Sequence, residues 1–301
     1  MNGSRARLAA IDVGSNTVLL TVAEYDPEAG LVVIEEGEDQ PRLGAGLAAT
    51  GRLSEEAMLR ALRTLTSMRD ICHRHNVRRV DAVATAAVRE ASNGAEFIER
   101  VGELDIPLRI ISPETEAALS YRSAAHHFPG GGRQLVADIG GGSLELIGAA
   151  NGRVTLSRSL PLGAVRLTEL GLPLDQLRGH IRHEFAASMQ PGVWAGSMVV
   201  GSGGTFATLA SIVLARRASA GQSVHGLVVQ AEEVEQLLVT LAGLPIKPRR
   251  QTPGLRPERA DIIVAGLAVV GELLRVIEAR GVTVSGFGLR DGLLLEMAGV
   301  E

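Results

Sequence analysis

The chain has 301 residues, a length that favours two domains of ordinary size, each able to bury its own core. With 46% hydrophobic residues, 3% aromatic residues and a formal net charge of -4, it is typical of a globular protein and not of a general nucleic-acid binder. No apolar run approaches the roughly 20 residues needed to span a membrane, and the polar Met1–Arg7 is no signal peptide, so we expect a cytoplasmic location.

The first half of the chain predicts strands, then helices alternating with further strands. The predicted strands lie at Leu8–Val13, Thr17–Tyr25, Leu31–Glu36, Val80–Ala84 and Leu108–Ile111. Ser54 is the expected N-cap of a long helix that reaches about His75, and Pro113 opens a second helix. Phe128–Arg133, which contains Pro-Gly-Gly-Gly, is the strongest turn signal, either a hinge between domains or a loop just inside the second.

The second half repeats this order. Its predicted strands lie at Gln134–Asp138, Leu144–Ala149, Val154–Leu160, Ser197–Val200 and Val282–Phe287. Its predicted helices lie at Ala164–Leu170, Leu174–Ser188, a segment ending near Arg217, Ala231–Leu241, Glu258–Arg280 and a last segment from Leu289. Asn151-Gly152 indicates a type I′ hairpin turn. A three-strand start followed by alternating helices and strands, occurring twice, predicts an α/β protein of two domains.

The most informative feature is a motif that occurs once in each half. Ala10–Thr17 and Ala137–Ser143 each predict a strand that ends in Asp, followed by a tight turn and a second strand. Backbone N–H groups in such turns can bind phosphate oxygens, while the Asp holds a metal ion beside them. A surface turn is the alternative for either copy alone. The repetition favours two phosphate loops, one on each wall of a single cleft.

Two further features fit a phosphate ligand. Gly201–Thr205 lies between a strand and a helix, where the helix N-terminus favours an anion, although a plain strand-to-helix turn is the alternative. It lacks the Gly-Lys-Ser/Thr ending of a P-loop. Arg89 follows a predicted strand, where its guanidinium can bind a terminal phosphate with two N–H groups. The alternative for Arg89 is a solvent-exposed position on a helix.

The remaining candidates are weaker. Cys72 is the single cysteine, which excludes a disulfide framework and a cysteine-based zinc site. Three histidine pairs have no surrounding pattern of acidic ligands, so we expect them on the surface: His73 and His75, His126 and His127, and His180 and His183. An Arg- and Pro-rich segment is expected to be a solvated loop, with a substrate-channel lining as the alternative; its arginines are Arg249, Arg250, Arg256 and Arg259.

Taken together and in this order, the motifs resemble the exopolyphosphatase / guanosine pentaphosphate phosphohydrolase (Ppx/GppA) family in its short two-domain form. Further matching segments are Arg42–Leu47, Thr85–Asn93, Ile111–Ala117, Leu160–Leu167, Glu258–Asp261 and Ser285–Gly292. The resemblance implies an α/β fold of two actin-like or ribonuclease H-like domains that flank a central cleft, as in the sugar kinase–actin–Hsp70 ATPase superfamily. We expect an N-terminal domain over residues 1–124 and a C-terminal domain over 125–301, whose last helix can pack back on the first domain.

The resemblance also implies an activity and assigns roles. The activity is Mg²⁺-dependent hydrolysis of the terminal phosphate of inorganic polyphosphate. Glu116 would act as general base on the attacking water, and Arg89 would hold the terminal phosphoryl group. Asp12, Asp138 and Glu145 are the expected ligands of Mg²⁺. The expected substrate-binding residues are Gly14, Ser15, Asn16, Thr17, Gly140, Gly141, Gly142, Ser143, Gly203, Gly204 and Thr205.

Several alternatives stay open at this point. Many relatives continue with further helical domains that this sequence lacks, so we expect a preference for short polyphosphate chains. Guanosine pentaphosphate is the alternative substrate of the same chemistry. A small-metabolite kinase of the same superfold, or a polyphosphate sensor without turnover, is disfavoured because Glu116, Arg89 and the three turns are all present. We expect no nucleic-acid or membrane partner, and the sequence leaves open whether the chain forms a homodimer.

Overall fold

The computed structural model describes residues 6–130, 132–219 and 221–300. The chain divides into two compact units, one made of Met1–Ser123 with Leu289–Glu301 and the other of Ala124–Gly288. No helix in the described ranges is long and apolar enough to cross a lipid bilayer. The predicted Phe128–Arg133 turn includes Gly131, which lies outside the described residues.

The first unit is built on a five-stranded mixed sheet. Its strands are β1 Arg7–Val13, β2 Val18–Asp26, β3 Gly30–Asp39, β4 Arg79–Ala84 and β5 Leu108–Ile110. Their spatial order is β3-β2-β1-β4-β5, with β1, β2 and β3 antiparallel and β4 and β5 parallel to β1. Its helices are α1 Leu47–Thr50, α2 Glu55–Arg74, α3 Ala86–Glu90, α4 Gly94–Gly102 and α5 Pro113–His127, the last of which continues into the second unit.

The second unit repeats this plan with six strands. They are β6 Arg133–Ile139, β7 Leu144–Ala150, β8 Arg153–Leu160, β9 Met198–Ser202, β10 Val228–Gln230 and β11 Gly281–Val284, in the order β10-β11-β9-β6-β7-β8. Strands β6 to β8 are antiparallel, β9 is parallel to β6, and β11 is parallel to β9. The helices are α6 Ala164–Glu169, α7 Leu174–Ser188, α8 Pro191–Trp194, α9 Gly204–Arg216, α10 Ala231–Gly243, α11 Ile246–Arg249 and α12 Ile263–Val276. Two mixed sheets with the same strand plan confirm the predicted α/β fold class.

Sheet direction decides where functional side chains gather in each unit. In the first unit, the parallel strands β1, β4 and β5 end at one edge, so the segments that follow them share that edge. In the second unit, β6, β9 and β11 do the same. Each sheet is covered by apolar side chains of its own helices, among them Phe97 in the first unit and Phe206 in the second, both fully buried.

The last helix, α13 Leu289–Met297, belongs to the first unit. Leu289, Leu293 and Leu294 pack in a buried cluster with side chains of β1, which include Leu8 and Ala10. Gly292 permits this approach, because a Cβ atom there would lie 2.1 Å from the carbonyl oxygen of Leu119. The helix therefore completes the first unit although it comes last in the chain.

Local signals fix several element ends as expected. The Ser54 hydroxyl accepts a hydrogen bond from Ala57 N at 3.2 Å, which confirms the predicted N-cap of α2. Asn151 and Gly152 have φ angles of 51° and 75°, the positive values that a type I′ turn requires. The predicted helix at Glu258–Arg280 is wrong at its start, because a 3₁₀ turn at Pro257–Arg259 precedes α12.

Candidate active site

The first hairpin turn is closed by one backbone bond and buttressed by a second segment. Gly14 N donates to the Thr17 carbonyl oxygen at 3.0 Å. The carbonyl oxygen of Ser15 accepts from Gly44 N at 2.8 Å, and that of Asn16 accepts from Arg42 N at 3.0 Å. Within the described ranges, the N–H groups of Ser15, Asn16 and Thr17 donate no hydrogen bond. The carbonyl groups of the turn are therefore occupied by N–H donors of the protein. The N–H groups of Ser15, Asn16 and Thr17 remain available to an anion.

The second hairpin has the same construction. Gly140 N donates to the Ser143 carbonyl oxygen at 3.0 Å, and the first residues of α6 donate to the turn, with Val165 N at 2.9 Å from the Gly141 carbonyl oxygen. Gly163 makes this packing feasible, since a Cβ atom there would lie 2.2 Å from the carbonyl carbon of Gly142. Among the described residues, the N–H groups of Gly141, Gly142 and Ser143 donate no hydrogen bond. Both sequence repeats thus present three unused N–H groups in a closed turn.

The third glycine-rich turn ends in a helix N-terminus with an arginine beside it. Gly203 has a φ angle of 86°, and α9 begins at Gly204 without a side-chain cap. The guanidinium of Arg259 packs against this point, because a Cβ atom on Gly204 would lie 2.1 Å from Arg259 Nη1. A helix N-terminus and a guanidinium both carry positive charge, so together they favour an anion.

The arginine-rich segment is only partly the solvated loop expected from the sequence. Arg259 is 6% exposed, so that interpretation is wrong for this residue. Arg249 is half-buried and donates to the carbonyl oxygens of Leu244 and Ala260. Arg250 and Arg256 are exposed, as a solvated loop predicts. The sequence signal for Arg259 was its place in a segment that resembles the family, and its burial against Gly204 depends on tertiary contact.

The structure brings Arg89 and Glu116 together in the first unit. Arg89 lies in the last turn of α3, after β4, and Glu116 lies in the first turn of α5, after β5. Arg89 Nη1 donates to Glu116 Oε2 at 3.0 Å and to the Ile111 carbonyl oxygen at 2.9 Å. Their side chains are 19% and 10% exposed, so the solvent-exposed alternative for Arg89 is wrong. Arg89 Nε and Nη2 donate no hydrogen bond within the described residues, which leaves a two-donor fork for a phosphoryl group.

The residues expected to hold Mg²⁺ differ in their surroundings. Asp138 and Glu145 are cross-strand partners on β6 and β7, so their side chains lie on the same face of the sheet. Glu145 is 2% exposed and accepts a hydrogen bond from Ser159 Oγ at 2.8 Å. Asp12 has Leu19 as its cross-strand partner, so the first hairpin lacks the second acid.

Two glycines shape the space around the Asp138 carboxylate. A Cβ atom on Gly203 would lie 2.6 Å from Asp138 Oδ1, and a Cβ atom on Gly288 would lie 3.5 Å from Asp138 Oδ2. No group of three or more His, Cys, Asp or Glu in the described residues is placed to hold a metal ion. Mg²⁺ ordinarily takes one or two carboxylates and completes its shell with water and substrate phosphates. The Asp138 carboxylate fits Mg²⁺, because Gly203 and Gly288 have no side chains to fill the space beside it.

Arg290 is a supporting residue that motif reasoning did not single out. Its Nη1 donates to the Leu20 carbonyl oxygen and to Thr21 Oγ1, both at 2.7 Å, directly behind the first hairpin. Burial lowers the pKa of Arg290, and the charges of Glu36 and Asp12 oppose that shift. The arginine therefore places positive charge beneath the strand that carries Asp12.

Comparisons with known proteins identify the family. The sequence matches the Ppx/GppA phosphatase family over residues 21–301. Exopolyphosphatase 2 of Mycobacterium tuberculosis (strain ATCC 25618 / H37Rv) is 31% identical, with 97% of this chain and 99% of the relative aligned. Exopolyphosphatase 1 of Mycobacterium bovis is 30% identical, with 96% of this chain and 87% of the relative aligned.

Solved structures give the same result. The Ppx/GppA family member of Aquifex aeolicus is 31% identical and superposes with a TM-score of 0.81, covering 97% of both chains. An exopolyphosphatase from Cytophaga hutchinsonii is 27% identical with a TM-score of 0.88, covering 98% of this chain and 99% of the other. The fold and these similarities over almost the whole chain define a phosphatase. The chain belongs to the Ppx/GppA phosphatase family, which confirms both the resemblance and the prediction of a hydrolase.

Proposed function

We propose that this chain is an exopolyphosphatase, which uses Mg²⁺ and water to remove the terminal phosphate of inorganic polyphosphate. The observation that carries the proposal is the buried pair of Arg89 and Glu116, with two arginine nitrogens, Nε and Nη2, left over as donors. Phosphoryl transfer requires positioning and charge neutralisation more than covalent chemistry from the protein. The similarity to proteins named exopolyphosphatase supports polyphosphate as the substrate class.

Each of the three turns is proposed as a phosphate-binding element of its own unit. The unused N–H groups of Gly141, Gly142 and Ser143 would donate to phosphate oxygens, and those of Ser15, Asn16 and Thr17 would do the same. We add Arg259 to this set, because its guanidinium lies against Gly204 at the start of α9. Gly203, Gly204 and Thr205 then contribute the N-terminal N–H groups of that helix. These contacts neutralise charge without any change in the covalent structure of the protein.

The reaction itself is assigned to Glu116 and Arg89. The carboxylate of Glu116 would accept a proton from water as the water oxygen bonds to the terminal phosphorus. Arg89 Nε and Nη2 would donate to oxygens of the same phosphoryl group and hold it in line. The bond that breaks joins the terminal phosphorus to the bridging oxygen, which leaves as the phosphate end of the shortened chain. Such a leaving group is stable enough that no general acid is required.

Magnesium is assigned to the second unit. Asp138, with Glu145 beside it, would hold Mg²⁺, whose charge offsets that of the phosphates when the ion is bound. Asp12 stays a prediction from the sequence, because no group of three or more His, Cys, Asp or Glu in the described residues is placed to hold a metal ion. The space that Gly203 and Gly288 leave beside Asp138 is the feature that supports the assignment of Mg²⁺ to this carboxylate.

Guanosine pentaphosphate is the second candidate substrate, since the resemblance to the Ppx/GppA family implies it as the alternative. A panel of short polyphosphate, long polyphosphate, guanosine pentaphosphate and ATP, assayed for released phosphate with purified protein and Mg²⁺, separates the candidates. We expect release from polyphosphate, fastest for short chains. Release from guanosine pentaphosphate alone would replace the proposed substrate, and ATP turnover that needs an acceptor would indicate a kinase. The homodimer that the sequence leaves open can be tested on the same preparation.

A further inference from the structure

Ser202 is a buried residue at the end of β9 that the proposed chemistry does not yet use. It is 3% exposed, and within the described part of the chain its hydroxyl oxygen makes no hydrogen bond. A buried hydroxyl without a partner is unfavourable, so it calls for a physical explanation.

The position of Ser202 points to the carboxylate of Asp138. The two residues are register partners on the parallel strands β6 and β9, so their side chains lie on the same face of the sheet. The Cβ position of Gly288 lies 3.5 Å from Asp138 Oδ2 and 3.8 Å from Ser202 Oγ. Both oxygens therefore border the gap that the missing side chain of Gly288 leaves. All three residues belong to the second unit.

We propose that the Ser202 hydroxyl is an oxygen donor of the Mg²⁺ site at Asp138. This inference rests on the proposed function, which places Mg²⁺ at that carboxylate. A serine or threonine hydroxyl beside an aspartate is an established combination for Mg²⁺ in P-loop proteins, and hard oxygen donors suit the ion. The Mg²⁺ ion then serves as the partner of the Ser202 hydroxyl, which has no hydrogen-bond partner among the described residues.

Ser197, at the opposite end of β9 from Ser202, provides a matched control. It precedes β9, is also buried, and its hydroxyl likewise lacks a hydrogen-bond partner among the described residues. Removing either hydroxyl deletes one oxygen from the interior without breaking a protein hydrogen bond. Only Ser202 borders the Asp138 carboxylate gap at Gly288.

The test measures metal affinity apart from catalysis. Binding of Mg²⁺ to the full chain is measured by isothermal titration calorimetry for the wild type, Ser202→Ala, Ser197→Ala and Asp138→Asn. We expect Ser202→Ala to weaken the affinity about 10-fold to 100-fold and Ser197→Ala to leave it unchanged. Urea unfolding in EDTA should show Ser202→Ala to be no less stable than wild type, because no bond was lost.

A second variant guards against a merely structural effect. Ser202→Cys replaces the hard oxygen by a soft sulfur, so it should lose affinity for Mg²⁺ and gain affinity for Cd²⁺ relative to wild type. Unchanged Mg²⁺ affinity in Ser202→Ala, with affinity lost in Asp138→Asn, would overturn the inference alone. Unchanged affinity in Asp138→Asn would overturn the metal assignment of the proposed function, and the inference with it.

Discussion

Arg89 and Glu116 form an ion pair, with Arg89 Nη1 lying 3.0 Å from Glu116 Oε2 although 27 residues separate them in the sequence. The same Nη1 donates to the Ile111 carbonyl oxygen, which anchors the guanidinium at the end of β5. In the proposed reaction, an anchored arginine beside a carboxylate would fix the relative positions of a phosphoryl group and its attacking water. The pair is therefore the first target for mutation.

Replacement of the proposed base should separate catalysis from binding. Glu116→Gln keeps the shape of the side chain but cannot accept the proton, so we expect the rate of phosphate release to fall by about 10²–10⁴. Polyphosphate affinity, measured by fluorescence anisotropy with end-labelled chains, should change little. Glu114→Gln is the matched control in the same helical turn. The pKa of the Glu114 carboxyl is lowered by its own backbone N–H, by Ser112 and by Arg89, and its side chain is exposed. Full activity of Glu116→Gln would remove it from its proposed role.

Replacement of Arg89 by lysine should lower the activity. Arg89→Lys keeps the positive charge but loses the planar fork, so it cannot hold Ile111, Glu116 and a phosphoryl group together. We expect kcat/KM to fall by at least about 100-fold, with most of the loss in kcat. Arg109→Lys is the control, since Arg109 forms a similar two-bond pair with Asp81 on the exposed surface of β5. Equal effects of the two substitutions would show that Arg89 has only a structural role.

Replacement of Gly288 by alanine should weaken the activation of the enzyme by Mg²⁺. Gly288→Ala would place a methyl group 3.5 Å from Asp138 Oδ2, an ordinary contact that the fold can accept but that fills the proposed Mg²⁺ space. We expect the Mg²⁺ concentration for half-maximal activity to rise about 10-fold with an unchanged urea midpoint. Gly243→Ala, where a Cβ atom would meet nothing within 4 Å, is the matched control. An unaltered Mg²⁺ dependence in Gly288→Ala would place the ion elsewhere.

Cys72 gives a prediction about pH. Burial raises the pKa of the Cys72 thiol from 9.0 to about 11. As the pH rises, the Cys72 thiol of the unfolded chain therefore ionises before that of the folded protein. The contribution of Cys72 to the free energy of unfolding is complete below pH 9 and is lost as the pH rises through about 11. Urea unfolding of wild type and Cys72→Ala between pH 8 and pH 11 should show a steeper loss of stability in wild type. Parallel curves for the two proteins would contradict the burial effect.

Much of the fold and the centre of the site could be predicted because the signals are local. Asp12 and Asp138 each end a strand before a glycine turn, and that pattern specifies a hairpin within eight residues or so. Ser54 and Pro113 mark helix starts by their own chemistry. Glu116 was different, since only the family resemblance distinguished it from Glu114.

The rest could not be predicted because it depends on contacts between distant segments. Arg259 looked like a loop arginine, and its proposed role rests on its packing against Gly204. Arg290 supports the first hairpin from the far end of the chain. The start of α12 was missed because nothing in the sequence of residues 257–259 distinguishes their 3₁₀ turn from the first turn of an α-helix.

The most direct measurement is phosphate release from a short polyphosphate by purified wild-type protein and Glu116→Gln, side by side with Mg²⁺. The account predicts one phosphate per cycle from the chain end in wild type and a rate lower by about 10²–10⁴ in the variant. Failure of the wild-type protein to release phosphate above the rate of Glu116→Gln would contradict it.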